Sequence, residues 1–102
     1  MNLEEFNKSI QTLDKCPASL PLSLQGLWYD KKYGWDEAHE FIGDASDIDT
    51  AWVHAYLHRR EGDANNARYW YNRSGQPESK LGLDEEWNQI ASQLLIKTQQ
   101  KG

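Results

Sequence analysis

From Ala51 to Gly75 the chain reads AWVHAYLHRREGDANNARYWYNRSG, and this stretch restricts the fold more than any other. Its apolar residues recur with helical spacing and are interrupted at Glu61-Gly62-Asp63, so the spacing predicts two short helices folded back on each other. The same stretch holds two of the three histidines, all four arginines and five of the twelve aromatic residues. Most of the side chains able to bury large area or to bind a ligand therefore sit on one hairpin.

The remaining segments extend the helical pattern. Leu3, Phe6, Ile10 and Leu13 share a face of a first helix expected over 3–15, with Asn2 and Glu5 at capping-box spacing and Cys16-Pro17 ending it. Pro21 opens a second helix that runs to about Lys32 and is broken at Tyr33-Gly34. A third covers about Asp36 to Ile42 and stops at Gly43. The fourth, about Asp47 to Glu61, and the fifth, about Ala64 to Ser74, form the hairpin. Asp84 is expected to cap a sixth over 85–98, whose stripe is Trp87, Ile90, Ala91, Leu94 and Leu95. No segment alternates with period two, so the expected fold is all-α: one domain over 1–102, a compact bundle of about six helices.

Sliding the chain over itself by 29 residues brings Gly26 onto Ala55, Ala38 onto Ala67, Phe41 onto Trp70 and Ile42 onto Tyr71. In each copy a small residue is followed 12 positions on by an alanine, and a bulky residue comes four after that. Antiparallel helices approach closely only where side chains are small, and the bulky residue fills the space beside the crossing. On Ala55, Gly62, Ala67, Tyr71 and the following Pro77, and on Gly26, Tyr29, Ala38 and Ile42, the chain resembles the tetratricopeptide repeat family. The resemblance implies two helical hairpins over about 20–77 and partner binding through the inner face of a first helix. A stack of two repeats is too short to stand alone, so the first and last helices are expected to close it into a bundle. The stretch 51–75 is also similar to that of a group of small uncharacterised proteins, which implies no activity.

Composition excludes several functions. The hydrophobic fraction is 38%, yet five Trp and five Tyr supply the burial that aliphatic residues do not, which separates this chain from a disordered one. The net charge of -5 provides no basic stripe for nucleic acid. No apolar run has membrane length, and the start MNLEEFNKSI has no signal-peptide character. With a single cysteine, Cys16, the expected setting is a reducing, cytoplasmic one.

Two constellations could carry chemistry. His54 and His58 lie four apart on one helix face, and with His39 on the third helix they could chelate a divalent metal, Asp36 and Glu40 standing by as carboxylate supports. Such a centre would suit a metal-binding protein or a hydrolase. The alternative for the same rings is a place in the core. The second constellation is an aromatic and arginine face of Trp52, Tyr56, Arg59 and Arg60, suited to a protein segment or a small anionic ligand. A homodimer built on exposed rings is a third reading. No nucleophile elbow, phosphate-binding glycine loop or cofactor motif is complete, so catalytic activity is left open.

Overall fold

The computed structural model describes residues 1–99. Six helices follow in order: α1 (Leu3–Thr12), α2 (Leu22–Tyr33), α3 (Trp35–Ile42), α4 (Ile48–Arg60), α5 (Ala64–Ser74) and α6 (Leu83–Gln99). Among the described residues there is no strand. Helices α2 and α3 form one hairpin and α4 and α5 the other; α4 also packs on α2, α3 and α6, while α1 lies across α2 and α6.

Local chemistry explains most element ends. Asn2 accepts from the Glu5 N–H at 2.8 Å while Glu5 accepts from the Asn2 N–H at 3.0 Å, the reciprocal capping box expected from the sequence. Asp47 and Asp63 cap α4 and α5 by accepting from Thr50 N–H and Asn66 N–H. A single residue, Gly34, separates α2 from α3, and its φ of +114° is one that residues with a side chain rarely adopt.

Two helix ends differ from expectation. Helix α1 stops at Thr12, with Leu13 already extended and exposed, rather than running to Cys16-Pro17. The cause lies on α2: Lys32 Nζ donates to the Ile10 carbonyl at 2.8 Å and the Tyr33 hydroxyl donates to the Asp14 carbonyl. Carbonyls satisfied from a neighbour do not need another turn of helix. Helix α6 begins at Leu83, because the Glu86 N–H reaches the Gly82 carbonyl, so Asp84 lies inside its first turn rather than at the cap. There the carboxylate faces the positive end of the helix dipole.

The core is rich in aromatic rings, and three indole N–H groups in or against it are paired. Trp28 Nε1 donates to Ser9 Oγ at 3.0 Å, Trp35 Nε1 to the Leu57 carbonyl at 2.6 Å and Trp87 Nε1 to the Leu27 carbonyl at 3.2 Å. The four small residues of the internal repeat, Gly26, Ala38, Ala55 and Ala67, are all buried. At Gly26 the approach is closest: a Cβ there would stand 2.6 Å from Ile42 Cγ2 and 3.4 Å from Val53 Cγ1. Position 26 thus sets how near α3 and α4 come to α2.

A buried ion pair joins the second hairpin to α6. Glu86 is fully buried; its Oε1 accepts from Arg59 Nη1 at 2.8 Å and its Oε2 accepts from the Tyr71 hydroxyl. Arg59 also donates to the Leu81 carbonyl, pinning the 75–82 connection. The four arginines and the acidic stretch 36–49 do not pair with each other among the described residues; Asp49 pairs instead with Lys97.

Removing Arg59 strands a buried carboxylate, so Arg59→Leu is expected to cost about 3 kcal/mol, the lower end for a broken buried pair because the guanidinium is partly solvated. Gly26→Ala sets a helix-propensity gain of about 1 kcal/mol against over-packing of about 1–3 kcal/mol. Ile42 offers a branch methyl rather than a flexible chain end, so the clash wins and net destabilisation follows. Urea denaturation of each variant measures both.

Candidate metal centre

The three histidines converge. His39 comes from α3 and His54 and His58 from successive turns of α4, and each offers a ligand nitrogen within 4.8 Å of the others. His54 Nε2 lies 3.1 Å from His39 Nε2. The rings of His54 and His58 are nearly parallel, 4.8 Å apart at 15°, and His39 stands across both at 82° and 74°. This follows from the fold: side chains four apart on a helix share a face, and the Gly26 crossing brings α3 against that face.

Two tryptophans wall the cluster. Trp70 of α5 stacks on His54 with centroids 3.9 Å apart at 10°, and Trp35 stacks on His39 at 4.7 Å and 10°. His54 and His58 are buried, while His39 keeps a partly exposed edge. Glu61, at the C-terminal cap of α4, takes the support role expected of Asp36 or Glu40. Its Oε1 lies 2.6 Å from His58 Nδ1, whereas neither Asp36 nor Glu40 hydrogen-bonds a histidine among the described residues. A carboxylate there accepts from an Nδ1–H, so Nε2 is the ring nitrogen of His58 left to act as a ligand.

The surroundings of His54 favour its neutral form. Burial pushes the His54 pKa down to about 4, and the nearby His58 and His39 add to the effect. The Nδ1 of His54 is buried with no hydrogen-bond partner. A neutral imidazole offers a metal its lone pair without losing a proton first.

The distance between His39 and His54 fits an ion. Two nitrogens each about 2.05 Å from a tetrahedral ion stand about 3.3 Å apart, and cis nitrogens on an octahedral one about 2.9 Å apart. The 3.1 Å between His39 Nε2 and His54 Nε2 falls between those values. Without an ion, the same pair shares one proton in a hydrogen bond.

The aromatic and arginine residues are divided. Trp52 and Tyr56 are buried, with 6% and 0% of their surface exposed. Arg59 is taken up by Glu86 and the Leu81 carbonyl, while Arg60 Nη1 donates to the Tyr56 hydroxyl at 2.9 Å. The four do not share one solvent-facing surface. Cys16 is buried and its thiol is pushed up to about 12, leaving it inert at neutral pH. Trp35 and Trp70, the walls of the cluster, were not singled out for it from sequence, although Trp35 and His39 sit one helical turn apart. Among the described residues no helix is long and apolar enough to cross a membrane. Comparison with protein-family models, with curated proteins and with solved structures finds no match to this chain.

The depressed His54 pKa gives metal-free stability a pH dependence. Between about 4 and 6.5 the unfolded chain binds a proton at this site that the folded chain does not. The contribution is whole above pH 6.5 and is lost as pH falls toward 4, the loss reaching roughly 2 kcal/mol at pH 5. Chemical denaturation in excess chelator is expected to show this slope, and His54→Gln to flatten it.

Proposed function

We propose that this protein binds one divalent transition-metal ion through His39, His54 and His58. The observation that carries the reading is the convergence of three imidazole nitrogens from two helices, with a 3.1 Å separation that matches an edge of a metal's coordination shell. All-nitrogen imidazole sites suit zinc, copper, nickel and iron rather than magnesium or calcium. Three protein ligands leave a position for water or a small ligand, the arrangement of catalytic rather than closed structural zinc sites. The exposed edge of His39 is where solvent comes closest to that position. Glu61 orients His58, and the stacked Trp35 and Trp70 hold the other two rings.

The reading also takes the two hairpins as a tetratricopeptide-like pair that places the ligands rather than presenting a peptide groove. Burial of Gly26, Ala38, Ala55 and Ala67 supports it. A groove formed by Trp52, Tyr56, Arg59 and Arg60 has less support, because two of these rings are inside the fold and Arg59 is committed to Glu86.

Titration of the metal-free protein with zinc, nickel or cobalt is expected to saturate at one ion per chain and to raise the melting temperature. Cobalt should give the visible absorption of a low-coordinate nitrogen site. His39→Gln, the least buried ligand change, is expected to abolish saturation without unfolding the chain. Glu61→Gln is expected to weaken affinity about 10–100-fold. If none of these ions shifts the melting temperature, or if His39→Gln binds as tightly as the parent protein, the three imidazoles are core residues only.

A further inference from the structure

On the opposite side of α4 from the histidines, Tyr56 and Arg60 enclose a half-open cavity with Asp30 and Lys31 of α2 and Asp84 and Trp87 of α6. Its volume is about 120 Å³, room for a molecule of only a few heavy atoms rather than a drug-sized ligand. Two carboxylates and two cations line it, yet none of the four is ion-paired among the described residues. Arg60 gives Nη1 to the Tyr56 hydroxyl, and Lys31 Nζ lies 3.2 Å from Asn7 Oδ1 and 4.2 Å above the Trp87 ring.

Asp30 is the decisive residue. It is 7% exposed, and its Oδ1 is buried with no hydrogen-bond partner. Leaving a carboxylate oxygen unmade inside a protein is costly, and a chain folded only for stability would place an apolar residue or a bonded partner there. Burial pushes the Asp30 carboxyl up, opposed by Arg60 and by the Tyr56 hydroxyl. Tyr56 and Arg60 thus act on the carboxyl without reaching Oδ1, and no charge lining the cavity closes into an ion pair among the described residues.

The geometry points to a binding site for a small zwitterion of the α-amino-acid class. Its ammonium meets the carboxylates of Asp30 and Asp84; its carboxylate takes the free N–H groups of the Arg60 guanidinium. A simple amine would leave Arg60 unmatched, and a simple anion would leave Asp30 unmatched. The site uses none of the histidines and does not depend on the metal reading.

The test is thermal denaturation and calorimetry of the whole chain in excess chelator, with each of the common L-α-amino acids at millimolar concentration as probe. Ethylamine and acetate serve as the two half-molecules. At least one amino acid is expected to raise the melting temperature, and neither half-molecule to do so at equal concentration. Asp30→Asn and Arg60→Gln are each expected to weaken that binding about tenfold or more, the loss of one charge-assisted hydrogen bond. The proposal is overturned if no amino acid binds the parent protein or if ethylamine binds as well as the best of them. Undiminished binding by Asp30→Asn also overturns it. Should Asp30→Asn fail to fold, Arg60→Gln decides: it alters an exposed residue, and unchanged affinity there ends the proposal.

Discussion

A helix enclosed on every side has no solvent face on which to leave its polar groups, and α4 is such a helix. Thr50 to His58 are nine consecutive buried positions, of which four carry polar side chains: Thr50, His54, Tyr56 and His58. Each must find a partner inside the fold. Thr50 bonds to its own cap, Asp47. His58 bonds to Glu61, His54 to His39, and Tyr56 accepts from Arg60. The neighbours of α4 are thus held to particular distances by polar geometry as well as by apolar packing.

Helical periodicity then separates chemistry by face. At about 100° per residue, His54 and His58 point to one side while Tyr56 and Arg60 point to nearly the opposite one. The first side is walled by stacked rings; the second is lined with charges that form no ion pair among the described residues. Between them Arg59 reaches Glu86 and ties α6 to the hairpin. One element therefore carries the histidine cluster on one face, the charged cavity on the other and, between them, the arginine of the ion pair to α6.

Much of this was legible in advance, for identifiable reasons. The fifth helix was read at its observed bounds because Asp63 and Gly75 are strong local signals at its two ends. The i, i+4 spacing of His54 and His58 put both rings on one face without any tertiary information. Burial of the small residues followed from their repeat spacing, since only they permit close crossings. The end of α1 was misplaced because its carbonyls are satisfied by Lys32 and Tyr33, about 20 residues away, and no local propensity encodes that. The arginine and aromatic face failed to form a surface for a similar reason. Aromatic residues at helical spacing look alike whether their neighbours are solvent or other helices, and here α2, α5 and α6 surround them.

By itself the sequence determined the helical class, the two hairpins, the small-residue crossings and the pairing of two histidines on one helix face. These depend on residues a few positions apart, whose relative placement is set by backbone geometry. Only the tertiary structure decided that His39 completes the cluster, that Glu61 rather than Asp36 or Glu40 supports it, and that Glu86 and Asp30 are buried carboxylates, one paired and one not. Those outcomes turn on how closely helices remote in sequence approach one another, and a distance of that kind is fixed by packing, which no short window of residues contains.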